Sequence, residues 1–138
     1  MKLSPTIAFN FDGRCEQAFK FYEQCLDARI AFMLKWGDSP AAGQAPKEWA
    51  GKILHGRISI GNAEIVGGDV LPEHYQRPQG CGIILSTDDP SMAEHIFNRL
   101  AENGTIYLPL EKTFWALRYG VVVDQFGLRW EINCEQPS

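Results

Sequence analysis

The stretch "GVVVDQFGLRWEIN" (Gly120–Asn133) contains two strand-like segments joined by a turn. Gly127 occupies a turn position whose backbone conformation favours glycine. The second segment carries a charge, Glu131, where a packed strand favours an apolar residue. Because strand side chains alternate between faces, Arg129, Glu131 and Asn133 share one face, opposite Leu128, Trp130 and Ile132. Glu131 therefore either points at water or faces a cavity with chemistry in it.

The composition excludes several classes of function. The chain has 138 residues, 45% hydrophobic and 22% charged, which is ordinary for one compact domain. Its net charge is −4 and no lysine and arginine cluster is present, so a nucleic-acid partner is not expected. There is no leader-like start and no apolar run approaching the ~20 residues that span a bilayer. We therefore expect a cytoplasmic protein with no membrane partner.

Hydrophobic patterning predicts the same order of elements twice. In the first half, strands at 3–10, 29–36, 52–60 and 63–68 surround a helix, and the last two strands meet at a tight turn, Gly61-Asn62. In the second half, strands at 82–87, 105–110, 114–124 and 128–133 surround another helix. The predicted fold class is α+β, with two tandem βαβββ modules at about 1–69 and 80–138 within a single domain 1–138. The modules form a curved, cupped mixed sheet with helices on the outer face.

The helices are predicted from their apolar stripes and their caps. The first stripe is Cys15, Ala18, Phe19, Tyr22, Cys25 and Leu26, and the second is Met92, Ala93, Ile96, Leu100 and Ala101. Asp12 or Gly13 is expected to cap the first helix. Asp88 or Asp89 is expected to cap the second, which Pro90 enters and Asn103-Gly104 ends, with Gly104 in the left-handed conformation. Cys15 and Cys25 are interpreted as buried structural thiols.

The two halves are related by a constant offset at their starts. Ile7 and Ile83 differ by 76 positions, as do Asp12 and Asp88, and Ile30 and Ile106. The same offset makes His55 equivalent to Glu131, and Thr6 equivalent to Gly82.

A second row of mostly polar side chains on one face of a strand, called a polar file, is predicted in the first half. Alternation in "KILHGRISI" groups Ile53, His55, Arg57 and Ser59 opposite Leu54, Ile58 and Ile60. Such polar files either face water or line a pocket. If they line a pocket inside a cupped sheet, His55 would lie near Glu131. The aromatic residues Trp36, Phe114, Trp115 and Tyr119 favour a small-molecule pocket.

Three motifs resemble the vicinal oxygen chelate superfamily (glyoxalase I, bleomycin-resistance proteins and dioxygenases) and, within it, the PhnB-like branch. They are "FDGRCEQAFKFYEQCL", "LHGRISIGNAEIVGGD" and "FWALRYGVVVDQFGLRWEIN", which together extend over most of the chain. The resemblance implies a metal site on the first and last strands of the modules, at Thr6, His55, Gly82 and Glu131. Of these, His55 and Glu131 are usable ligands for a divalent ion such as Zn, Ni, Mn or Fe. A polar pair in a pocket without a tightly bound metal is the favoured alternative.

Two hypotheses for function follow. In the favoured one, the protein binds a small metabolite or antibiotic in the cup of the sheet. In the other, it is a metal-dependent lyase, isomerase or dioxygenase-type enzyme, with Glu131 and His55 as catalytic residues. In either case Arg57, Trp115, Tyr119 and Arg129 are the candidate substrate-binding residues, and the resemblance implies a homodimer. His74 and His95 are predicted to lie on the surface.

Overall fold

The structure is a computed structural model that describes residues 2–136. The chain divides into two compact units, Met1–Gln76 and Arg77–Ser138, and the division lies in the connection expected between the modules. Each unit has one α-helix and one four-stranded mixed sheet, as the α+β prediction requires. No helix among the described residues is long and apolar enough to cross a membrane.

The first unit contains β1 (Ile7–Phe11), α1 (Cys15–Cys25), β2 (Ala28–Lys35), β3 (Ile53–Ile60) and β4 (Ala63–Asp69). Its strand order is β1-β4-β3-β2, with β1 parallel to β4 and the other pairs antiparallel. Residues 36–52, between β2 and β3, form a long connection with three short 3₁₀ turns. The β3–β4 turn has Gly61 at φ 56°, in the left-handed region that glycine tolerates.

The second unit contains β5 (Ile83–Thr87), α2 (Pro90–Leu100), β6 (Thr105–Glu111), β7 (Ala116–Val123) and β8 (Arg129–Glu135). Its order, β5-β8-β7-β6, is that of the first unit, with β5 parallel to β8. The β6–β7 connection is short, at residues 112–115. In each unit the helix packs against one face of the sheet. The opposite face of each sheet is the helix-free face.

Both helices pack against a glycine of the third strand of their unit. The α1 stripe is buried as predicted from Cys15 to Cys25, and a Cβ on Gly56 would lie 3.1 Å from the Phe19 ring. In α2 the prediction was partly wrong: Phe97 is buried with Ala93 and Leu100, whereas Met92 is half exposed. A Cβ on Gly120 would lie 2.8 Å from the Phe97 ring. The glycines therefore let each aromatic ring sit close to the sheet.

The predicted caps differ from those observed. Asp89 caps α2 by accepting hydrogen bonds from Ser91 N and Met92 N, as expected. The left-handed residue after α2 is Asn103 (φ 57°), not Gly104, whose missing Cβ instead avoids Val123 O at 2.4 Å. At α1, Asp12 pairs with Arg14 and no local side chain caps the helix.

The start of α1 is held by Asp69 at the end of β4. Its carboxylate accepts hydrogen bonds from Gly13 N (3.0 Å) and Cys15 N (2.9 Å) and, through its other oxygen, from Ile53 N (2.8 Å). Burial raises the pKa of Asp69, against the lowering effect of these hydrogen bonds and of Lys52. This aspartate therefore joins three segments that are far apart in sequence.

Strand pairing shows that the predicted offset of 76 holds as far as the second strand of each unit, where Ile30 pairs with Ile58 and Ile106 with Val122, but not in the last two strands. Ile7 pairs with Ile65 and Ile83 pairs with Trp130, so the equivalent of Glu131 is Val66, at an offset of 65 (131 − 66). Arg57 pairs with Val66, and Val121 pairs with Glu131. His55, two residues before Arg57, is therefore equivalent to Tyr119. The prediction that His55 corresponds to Glu131 was wrong, because residues 36–52 form a longer connection than 112–115.

Candidate functional site

The helix-free face of the second sheet carries the polar file predicted for β8. Trp130, Ile132 and Cys134 are buried, while Arg129, Glu131 and Asn133 are partly exposed on the other face. The antiparallel pairing adds Tyr119 of β7, which lies opposite Asn133 and diagonal to Glu131. The predicted alternation is confirmed, and it brings four polar side chains onto one surface.

Both oxygens of the Glu131 carboxylate have partners in this file. The Tyr119 hydroxyl donates a hydrogen bond to Oε1 at 2.5 Å, and Nη1 of Arg129 lies 3.4 Å from Oε2. Only 18% of the Glu131 side chain is exposed, the smallest value among the ion-paired groups of the described residues. Glu131 is therefore a shielded, oriented acceptor rather than a freely hydrated charge.

The Tyr119–Glu131 contact also changes the chemistry of the phenol. The hydrogen bond to the carboxylate raises the pKa of Tyr119, with burial and the negative charge of Glu131 acting in the same direction. Arg129 acts in the opposite direction, since a nearby cation favours the phenolate. Tyr119 thus stays a hydrogen-bond donor across the neutral and mildly alkaline range.

Asn133 adds an unsatisfied acceptor to the same face. Its Oδ1 is buried and has no hydrogen-bond partner among residues 2–136. An unpaired buried carbonyl oxygen costs free energy, on the order of 1–3 kcal/mol, and native proteins rarely leave one without a role. Because this oxygen is enclosed, a ligand on this face could reach it only after a rearrangement of the neighbouring side chains.

Three aromatic rings form a wall next to this polar group. The Tyr119 and Trp115 ring centroids are 5.2 Å apart, and those of Trp115 and Phe114 are 4.7 Å apart, both pairs edge-to-face. Thr113 holds the connection in place, since its Oγ1 accepts hydrogen bonds from Trp115 N and Ala116 N. Trp115 is about half exposed (49%) and Phe114 is 93% exposed, which is unusual for large apolar side chains.

The helix-free face of the first sheet is arranged differently. His55 is exposed and its ring lies 6.0 Å from that of Phe32. It lines an apolar cavity of about 330 Å³ with Asn10, Trp36 and Leu54. Arg57 is also exposed and lies 3.9 Å from Glu64. The approach of His55 to Glu131 stays a prediction.

One residue assigned to this file lies elsewhere. Ile53 was predicted to share the face of His55, but it is buried and lies 3.5 Å from the position of a Cβ on Gly56, against α1. The pairing of β2 with β3 skips Leu54, since Leu34 pairs with His55 and Lys35 with Ile53. This bulge reverses the alternation at the start of β3.

The predicted metal positions do not make a convincing ligand set. His55 lies on β3, the third strand, and the last-strand position equivalent to Glu131 is Val66, which has no donor atom. Thr6 is a poor ligand, Gly82 has no side chain, and both Glu131 oxygens already have partners. Among residues 2–136, no three His, Cys, Asp or Glu side chains are grouped so that they could hold a metal ion. The residues present do not fit a resident metal.

The remaining predictions concern structural residues. His74 and His95 are exposed, as expected. The 124–127 turn is confirmed, with Gly127 at φ 96° and the buried Asp124 carboxylate accepting hydrogen bonds from Phe126 N, Leu128 N and Trp130 Nε1. The role of Asp69 was not predicted from the sequence, although an acidic residue directly after the predicted strand 63–68, in "VGGD", was a visible signal.

Comparison with known proteins identifies the family. Residues 8–132, which make up most of the chain, match the model of the Glyoxalase/Bleomycin resistance protein/Dioxygenase superfamily. The chain belongs to this superfamily. The duplicated unit and strand order described above agree with that assignment and with the resemblance found in the sequence motifs.

Individual relatives agree with the family. The protein YjdN of Escherichia coli (strain K12) is 29% identical, with 100% of this chain and 99% of YjdN aligned. The crystal structure of protein PA1353 from Pseudomonas aeruginosa has a TM-score of 0.87 at 39% identity, covering 99% of this chain and all (100%) of that one. A PhnB protein from Bacillus cereus, described as a putative 3-demethylubiquinone-9 3-methyltransferase, has a TM-score of 0.81 at 19% identity, covering 95% and 98%. That last likeness shows the fold alone.

Proposed function

We propose that this protein binds a small organic molecule on the helix-free face of its second sheet. Glu131 is the polar anchor, and Trp115 and Phe114 cover the apolar part of the ligand. The observation that carries the proposal is the shielded Glu131 carboxylate, held by Tyr119 at 2.5 Å beside exposed aromatic rings. A few oriented polar groups against apolar walls are typical of small-molecule sites.

The site favours a ligand with a hydrogen-bond donor next to a flat apolar group. Each carboxylate oxygen has two lone pairs, so Glu131 can accept from a ligand while it keeps Tyr119 and Arg129. Arg129 already offsets much of the Glu131 charge, so a neutral O–H or N–H donor suits the site without requiring a cation. The proposal is one of binding and includes no reaction.

Ligand-induced stabilisation of matched variants tests the proposal. Bleomycin, suggested by the family description, and the methylglyoxal–glutathione hemithioacetal would be titrated in thermal-shift assays of the wild type, Glu131→Gln and His55→Gln. We expect a concentration-dependent rise in Tm for the wild type and His55→Gln that is lost in Glu131→Gln. A rise that persists in Glu131→Gln, or that is lost only in His55→Gln, would contradict it.

We further propose that the protein acts in the cytoplasm as a homodimer. All four cysteines are free, which suits a reducing compartment. The edge strand β6 exposes about half of each of the side chains Ile106 and Leu108, which a second copy could cover. Analytical ultracentrifugation tests this, since a dimer that Leu108→Glu converts to monomer is expected, and a wild-type monomer at micromolar concentration would refute it.

A further inference from the structure

The second unit also contains a cavity, which differs from the aromatic wall in the side chains that line it. It has a volume of about 480 Å³ and is lined by Arg77, Gln79, Cys81, Tyr107, Val123 and Arg129, among others. Among residues 2–136 no acidic side chain lines it, although the chain as a whole carries a net charge of −4. Arg77 therefore brings positive charge to the cavity, to which Arg129 adds a charge that Glu131 partly offsets.

The two arginines have donors to spare. Arg77 is exposed and forms no ion pair within residues 2–136, where every close pair involves other cations. Arg129 contacts Glu131 through Nη1 at 3.4 Å, and a guanidinium has five N–H donors on three nitrogens. Tyr107 and Gln79 also line the cavity, and their side chains carry neutral hydrogen-bond donors.

Gly82 explains how Arg129 reaches this position. A Cβ on residue 82 would lie 3.0 Å from Arg129 O and 3.1 Å from Arg129 Cγ. A side chain there would have to displace the backbone of β8 or the stem of Arg129. The resemblance placed Gly82 at a metal position, but in the structure its missing side chain leaves the space in which Arg129 packs.

We infer that this cavity is a binding site for a small oxyanion, a carboxylate or a phosphoryl group, held between Arg77 and Arg129. The planar guanidinium presents paired N–H donors that match the oxygens of either group, and charge-assisted hydrogen bonds are the stronger kind. The inference goes beyond the proposed function, because it assigns Arg77 and does not depend on a ligand at Glu131. Arg129 lines the cavity and also contacts Glu131, so it lies between the two proposed sites.

Cys81 provides a reporter inside the cavity. It is an exposed free thiol that lines the cavity, whereas Cys15, Cys25 and Cys134 are buried. In the native protein, iodoacetamide should therefore alkylate Cys81 selectively, and Cys81→Ser provides the blank. A bound anion would shield the thiol and slow its alkylation.

The experiment measures the alkylation rate of Cys81 in the full chain at low ionic strength, with inorganic phosphate or citrate added. We expect saturable protection by at least one of them, identifying a phosphoryl or a carboxylate ligand, and an apparent Kd roughly tenfold weaker in Arg77→Gln. Arg57→Gln, which changes an exposed arginine of the first unit, should keep the protection. Loss of protection in Arg57→Gln would overturn the assignment to Arg77.

Two further results would overturn the inference. One is protection that does not saturate with either anion or that is equal in Arg77→Gln. The other is equal relative reactivity toward iodoacetate and iodoacetamide in the wild type and Arg77→Gln, since two guanidinium groups should favour the anionic reagent and loss of one should reduce that preference. Because the Tm assay of Glu131→Gln uses different ligands and a different residue, either proposal can fail while the other holds.

Discussion

The two units have the same strand order but differ in what their helix-free faces carry. In the first unit, His55 is exposed beside Phe32 and Arg57 makes a distant ion pair with Glu64. In the second, Glu131 is shielded and has partners at both oxygens. At the equivalent positions of the first unit, Val66 stands for Glu131 and His55 for Tyr119, so the first unit lacks the polar group. The fold provides the surface, and the second unit alone arranges an anchored carboxylate on it.

The largest effect is expected from the residue that holds the first unit together. Asp69→Ala leaves three backbone N–H groups without their acceptor, two of them in buried hydrogen bonds, and should lower the free energy of unfolding by about 3 kcal/mol. Urea denaturation measures the loss. Asp12→Ala, which removes only an exposed pair with Arg14, is the control and should cost less than about 0.5 kcal/mol. Equal losses would mean that α1 is capped locally after all.

The equivalent glycines distinguish the packing of the two units. Gly120→Ala would place its Cβ 2.8 Å from the Phe97 ring and 2.9 Å from the backbone Cα of Leu110, and should cost about 3 kcal/mol. Gly56→Ala makes one tight contact, with the Phe19 ring at 3.1 Å, and should cost about 1 kcal/mol because that side chain can move. Chemical denaturation of both variants gives the difference. A larger loss for Gly56→Ala would show that the second unit is the more adaptable one.

The Tyr119–Glu131 contact can be measured by pH titration. Glu131→Gln should lower the pKa of Tyr119 toward its ordinary value of about 10, since it removes both the acceptor and its charge. Because folding raises this pKa, the contact stabilises the protein fully below about pH 10, and the contribution is lost as the pH rises through the folded value. Ultraviolet difference titration, with Tyr119→Phe to assign the signal, makes the measurement. An unchanged tyrosine titration in Glu131→Gln would mean that the contact is absent in solution.

The smallest effect is expected from the arginine of the first unit. Arg57→Ala removes an exposed contact of 3.9 Å with Glu64 and should change the free energy of unfolding by less than about 0.5 kcal/mol. It should also leave ligand-induced stabilisation intact, in contrast to Glu131→Gln. Thermal shift with the same ligands compares the two. Loss of the ligand response in Arg57→Ala would move the binding site toward the first unit.

Much of the fold followed from local patterns in the chain. Apolar periodicity located both helices and all eight strands, and Asp89 and Gly127 behaved as their positions in a cap and a turn suggested. Family membership followed from motifs that extend over most of the sequence, and the match to residues 8–132 confirmed it. These features depend on neighbouring residues, so the order of amino acids is enough to predict them.

The errors arose where distant segments or an extra residue decide the outcome. Asp69 caps a helix more than fifty positions away, and a bulge at Leu54 turns Ile53 into the core. A single offset failed because the connection after β2 is longer than that after β6, which moved His55 away from the position of Glu131 in the repeat. The alternation in β8, which needs no long-range information, identified Arg129 and Glu131, whereas their contact with Tyr119 required the strand register.

Protein-observed NMR with a fragment library tests most directly whether the second unit carries the ligand site. The ¹⁵N-labelled protein would be screened and the shifted amides mapped onto the two helix-free faces. We predict that the hits cluster on residues around Trp115, Tyr119 and Glu131, and that Glu131→Gln removes most of them while His55→Gln does not. Hits that cluster around His55 and Trp36, or an absence of hits near Glu131, would contradict the account.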